Sequence, residues 1–182
     1  HSEVVRAFRV DHPDVDLRLR VAPSAPLIDL LISGDLDLVV CVEPPPHIDS
    51  VDIEPLLTEQ LSVYGPPGVS IGDPSTWGPW VLFPAGSHTR TVVVAELARL
   101  GAPLEIAAES HQPEVVREMV RLGSGWTVLP TSQAELGDRP LPPGRPLRTR
   151  QLVLATRRDS VRDPAVDLLA ERLRQASRSP AP

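Results

Sequence analysis

Five consecutive polar side chains, Ser87, His88, Thr89, Arg90 and Thr91, stand where an apolar run stops and a helical pattern begins. Trp80 to Phe83 ends at Pro84 and Gly86, and Val92, Val93, Leu97 and Leu100 then recur at helical spacing. The five therefore occupy a strand–turn–helix junction, beside backbone N–H groups that lack a partner within the helix and carry the positive end of its dipole. Such a junction attracts anions. Ser87 suits the cap, Thr89 and Thr91 offer hydroxyls, and Arg90 presents a planar fork to a carboxylate or phosphate. Taken alone, the same residues also suit an ordinary helix cap with a solvated arginine, and His88 an exposed loop histidine.

Other chemistry is sparse. His111 and Gln112 precede Pro113 at a second predicted helix start, where they cap the helix or face a ligand. Ser24 is read as an N-cap whose hydroxyl can also serve a ligand. Five scattered histidines, with His12 and His47 beside prolines, and one cysteine offer no metal-ligand spacing. Gly123-Ser124-Gly125 follows a helix and leads into a strand, the reverse of what a nucleophile elbow needs. No base, acid and nucleophile converge, so no catalytic residue is assigned. Trp77 and Trp80 flank a Gly-Pro turn and are read as packing groups.

The chain has 182 residues, 18 basic against 24 acidic, for a formal net charge of −6, and every basic side chain is an arginine. No basic patch interleaved with aromatics is present, so these residues are not expected to bind DNA themselves. No run reaches membrane-spanning length and no charged-then-apolar leader opens the chain, so cytoplasmic residence is expected. Cys41 lies in the apolar run Leu38 to Val42 and reads as a small buried hydrophobe.

The elements that must position these groups alternate. Ser2 caps a predicted helix ended by His12-Pro13, and Asp14 to Val21 alternates as a strand. A helix follows through Leu27, Ile28, Leu30 and Leu31, closed by Gly34, then a nearly continuous apolar strand over Leu36 to Val42. Ile53, Pro55, Leu57, Glu59, Leu61 and Val63 form a long extended crossing segment, and Gly65 to Trp77 is loop. Beyond the central junction come a strand at Leu104 to Ala108, a helix from Pro113 to Leu122, a strand at Trp126 to Pro130, and a turn or two of helix at Thr131 to Leu136. Gly137 to Arg148 is a Pro-rich connection to a strand at Gln151 to Thr156. The last helix has Asp163 at its cap and Pro164 at its first position, before a frayed tail from Ser177. This alternation predicts an α/β fold with mainly parallel sheets.

Three passages carry a resemblance. Phe8-Arg9-Val10-Asp11-His12-Pro13-Asp14-Val15 contains HPDV after a helix, Leu31-Ile32-Ser33-Gly34-Asp35-Leu36-Asp37-Leu38 contains L..GDLDL, and Val116 to Pro130 fits V..G.G...LP in outline. In order and spacing they resemble the effector-binding domain of LysR-type transcriptional regulators, which has the type 2 periplasmic-binding-protein fold. The resemblance implies two Rossmann-like lobes joined by two crossover segments, with a small effector in the cleft. Lobe I is placed at 1–59 plus 150–182, and lobe II at 60–149. Ser24 then matches a hydroxyl facing the cleft, Thr89, Arg90 and Thr91 the helix-start contacts of the other lobe, and His111 and Gln112 a cleft-facing turn.

The function so implied is sensing of a small, anionic effector, a carboxylate, without cofactor or metal. DNA is reached through an N-terminal winged helix-turn-helix absent from this sequence, in a homodimer or homotetramer. The sequence departs from the family pattern in beginning inside the first helix, without the usual preceding strand. It departs also at Val42, where some members carry an arginine. A solute-binding receptor of a transport system on the same fold is the alternative; an enzyme on this fold would need the catalytic constellation that the residues do not supply.

Overall fold

In the computed structural model, residues 2–44, 48–158, 161 and 163–178 are described. The chain divides into two compact units, His1–Leu57 with Gln151–Pro182 and Thr58–Arg150. Two long strands, β2 (Val51–Tyr64) and β6 (Arg145–Arg157), are shared along the chain between them.

The first unit also holds α1 (Ser2–Asp11), α2 (Ser24–Ser33), β1 (Leu38–Val42) and α6 (Pro164–Arg178). β6 lies between β1 and β2, and it pairs with β1 antiparallel from Leu38↔Thr156 to Val42↔Leu152. Successive side chains of a strand point to opposite faces, and here both faces are covered. Val153 and Ala155 of β6, with Val39 and Cys41 of β1, pack on Leu27, Ile28 and Leu31 of α2. Leu154 packs on Phe8 of α1 and on Leu169 and Leu173 of α6. Each such leucine or phenylalanine withdrawn from water contributes about 1.5–3 kcal/mol.

The second unit contains β3 (Trp80–Leu82), α3 (His88–Arg99), β4 (Ile106–Glu109), α4 (Pro113–Arg121), β5 (Thr127–Pro130) and α5 (Thr131–Ala134). β3 pairs with β4 in parallel, and β2 with β5 antiparallel from Leu61↔Pro130 to Tyr64↔Thr127. Trp80 and Leu82 pack with Val93 and Leu97 of α3, whereas Val81 packs with Val116 and Val120 of α4. Trp77, Trp80 and Trp126 form a buried aromatic cluster with ring centroids 6.0–6.4 Å apart, and Trp80 Nε1 donates to the Pro103 carbonyl at 2.6 Å. Trp77 and Trp80 are core, as expected, and Trp126 joins them.

Most caps follow the sequence. Gly34 closes α2 at φ 89° with its N–H on Leu30 and Leu31, Ser87 caps α3, and the Asp163 carboxylate accepts from Ala165 N–H at 2.8 Å. The side chain of Ser2, the loop residues 45–47 with His47, and the tail residues 179–182 lie outside the described residues.

Five expectations are corrected. The ladders β1·β6 and β2·β5 are antiparallel, so the sheets are not mainly parallel. The apolar run Leu38 to Val42 reports burial on both faces, and burial does not fix direction. Asp14 to Val21 keeps its alternation but joins no ladder; Val15 and Leu17 pack on the α1–α6 cluster while Leu19 and Val21 stay exposed. A strand is defined by a pairing partner, which period alone does not supply. Ser24 is the first residue of α2, not its cap, which Pro23 occupies in extended geometry. β6 begins at Arg145 inside the expected Pro-rich connection, because Arg145-Pro146 can enter a strand at its first residues. α6 persists through Arg178, with Ser177 Oγ donating to the Leu173 carbonyl, so fraying does not start at Ser177.

Candidate functional site

β3 and β4 run parallel in the register Leu82↔Glu109, and α3 follows the first as α4 follows the second. Both helix starts therefore lie beyond the same carboxyl edge of that sheet, where α/β folds hold ligands. This brings Ser87, His88, Thr89, Arg90 and Thr91 onto one turn and sets His111 and Gln112, both exposed, on the neighbouring one. The two turns are tied together. Arg90 Nη1 donates to the Phe83 carbonyl at the end of β3, at 2.7 Å, and to Glu109 Oε1 at the end of β4, at 3.0 Å.

Ser87, Arg90 and Thr91 hold the first turn together, and His88 does not join them. Ser87 Oγ accepts from Arg90 N–H at 3.5 Å, and Thr91 Oγ1 donates to the Ser87 carbonyl at 3.3 Å. His88 Nδ1 is buried without a hydrogen-bond partner. Gln112 makes no side-chain cap; its backbone N–H donates to Ser110 Oγ at 3.1 Å. Arg90 is thus committed in part to Glu109, and the fork expected to be open is half used.

Thr89 differs from the expected open hydroxyl. It is 3% exposed, and its Oγ1 accepts from Arg150 Nη1 at 2.7 Å. The other two nitrogens of that guanidinium, Nε at 2.8 Å and Nη2 at 2.6 Å, donate to Glu59 Oε2, and Ser132 Oγ donates to Glu59 Oε1 at 3.2 Å. With side-chain exposures of 9% and 14%, Arg150 and Glu59 form a nearly buried pair in which the charges compensate each other's desolvation. The start of α3 is thereby fixed to the places where β2 enters and β6 leaves the second unit. Arg150 and Glu59 were not expected from sequence, yet one signal was present. In the row Ile53, Pro55, Leu57, Glu59, Leu61, Val63, Glu59 is a carboxylate on an apolar face, and a charge there demands a cation.

In the first unit, Ser24 Oγ accepts from the Val42 N–H at 3.2 Å, joining the start of α2 to the end of β1. Burial raises the Cys41 thiol on that strand to about 11, which leaves it protonated and inert near neutral pH.

A family model described as the LysR substrate binding domain matches residues 2–178. The chain belongs to the LysR substrate-binding domain family. Over 173 residues it is 27% identical to the HTH-type transcriptional regulator YfeR of Shigella flexneri, covering 87% of this chain and 54% of that protein. Over 124 residues it is 30% identical to the HTH-type transcriptional regulator BbuR of Bordetella bronchiseptica, covering 64% and 38%. This LysR domain thus spans about half the length, or less, of these curated relatives. Its fold is that of solved LysR regulatory domains. The effector-binding domain of QuiR in complex with shikimate superposes with a TM-score of 0.80 at 17% identity, covering 97% of this chain and 89% of that one. The regulatory domain of CcmR from Synechocystis in complex with 2-PG gives 0.79 at 16% identity, covering 98% and 91%. Among the described residues, no helix is long and apolar enough to cross a membrane.

Proposed function

We propose that this domain senses a small anionic effector, a carboxylate, for a LysR-type transcriptional regulator that reaches DNA through a separate winged helix-turn-helix. The observation that carries the reading is the pair of helix starts beyond one edge of β3–β4, with Arg90 of α3 reaching Glu109 at the end of β4, a place where helix N-termini favour an anion. Ser87, His88, Arg90 and Thr91 form the anion-facing turn and His111 and Gln112 flank it. Thr89 positions that turn through Arg150. Ser24, on the first unit, is the remaining hydroxyl of the proposed set. The QuiR domain was solved with shikimate, itself a carboxylate, which supports this ligand class.

An effector bound better by one arrangement of the regulator shifts its population toward that arrangement, and coupling to DNA binding of about 1–3 kcal/mol is enough for a switch. The regulator works in the cytoplasm as a homodimer or homotetramer. Membership of a family whose relatives are named transcriptional regulators favours sensing over solute transport or catalysis. A thermal-shift screen of small carboxylates, beginning with shikimate, tests the ligand class. At a hundredfold excess over Kd a binder adds about 2.7 kcal/mol, which for a domain of this size raises Tm by about 5–10 °C. A screen in which neutral polyols shift Tm and no carboxylate does would reject an anionic effector.

A further inference from the structure

A cavity of about 660 Å³ lies within the second unit, away from the start of α3, between the loop after β2 and the Pro-rich loop before β6. Its base is the buried pair Tyr64 and Leu141. Its walls are the rings of Pro66 and Pro142 with their neighbours in the two loops, and the charged residues that line it are Arg121 and Arg145, with no carboxylate among them. Their acids, Glu118 beside Arg121 and Asp73 near Arg145, stand outside the lining, so the only charges facing the apolar wall are positive and suit an anion.

The wall is built rather than loose. Leu141 N–H donates to the Ala134 carbonyl at 2.8 Å, and Gly144 N–H donates at 3.0 Å to Glu135 Oε1, which also accepts from the Tyr64 hydroxyl at 2.8 Å. Arg145 is held with its guanidinium carbon 5.1 Å from the Trp77 ring centroid and its Nη1 on the Gly72 carbonyl at 2.8 Å. Arg121 Nε is shut off from solvent without a hydrogen-bond partner. Glu118 Oε2 stands 3.5 Å from it, near enough for attraction but not a hydrogen bond, and that carboxylate is shared with Arg139.

We propose that this cavity is a second ligand site, distinct from the turn at α3, for an aryl carboxylate. The flat ring lies against the proline faces above Tyr64 and Leu141, and the carboxylate meets Arg121, whose planar fork matches it. A shorter anion such as acetate has the charge but not the apolar body, and binds weakly or not at all.

Titration with 2-naphthoate, followed by calorimetry and by quenching of tryptophan emission, tests the site in the whole domain. Arg121→Gln removes one cation, and Val69→Trp fills the cavity from an exposed wall position where folding is not at stake. Each is expected to weaken 2-naphthoate at least about tenfold while circular dichroism stays unchanged. Arg90→Ala, which alters the α3 turn, leaves 2-naphthoate affinity as it was. Absence of saturable binding, native-like affinity in either cavity variant, or loss of binding in Arg90→Ala alone would each overturn the proposal. The last result would move the ligand to α3 and leave the effector reading standing.

Discussion

Removing the Arg150 guanidinium leaves Glu59, 14% exposed, as a carboxylate without its cation in the second unit. Arg150→Met should therefore cost about 3–5 kcal/mol, because an uncompensated charge is then held out of water. Glu59→Leu combined with Arg150→Met should cost less than Arg150→Met alone, since both charges go together. Urea denaturation of the two variants checks this, and a double variant less stable than the single one would mean that the pair's worth is packing. Cys41 gives a second residue-scale test. Its folded pKa of about 11 lies above the ordinary thiol value of about 8.5, so the protonated thiol stabilises fully below the latter. That contribution is lost as pH rises from about 8.5 to about 11. Cys41→Val should flatten this part of the alkaline decline in urea midpoints, and the native thiol should resist alkylating reagents at neutral pH.

At the scale of elements, the Pro-rich loop is seated by Gly144. A Cβ added there would stand 2.6 Å from the Tyr64 ring and 2.8 Å from the Val63 carbonyl oxygen, so Gly144→Ala must push the start of β6 away from β2. We expect a loss of about 1–3 kcal/mol by chemical denaturation; a neutral result would mean that the loop gives way freely. Local chemistry made much of this fold legible. Gly34 at a left-handed helix end, Ser87 ahead of α3, and Asp163-Pro164 opening α6 act on backbone groups within a few residues, and sequence carries such short-range information directly. What was hidden is long-range. Arg150 finds Glu59 across 91 residues, and Asp14 to Val21 alternates as strands do but has no partner to make it one. The α3 turn was found as a cluster, while the division of labour within it, Thr89 turned inward to Arg150 and Arg90 half given to Glu109, depends on tertiary neighbours.

For the whole molecule, a LysR-type fold carrying a turn suited to anions should respond to its proposed ligand through α3. The measurement bearing most directly on it is calorimetric titration of the domain with the carboxylate giving the largest thermal shift, shikimate being the first to try, on the native chain and on Arg90→Ala. Loss of one charge-assisted contact of about 1.5–3 kcal/mol corresponds to an affinity weaker by roughly tenfold or more in Arg90→Ala, with its fold intact by circular dichroism. Native-like affinity in that variant would contradict the account, because the anion would then be held somewhere other than the start of α3.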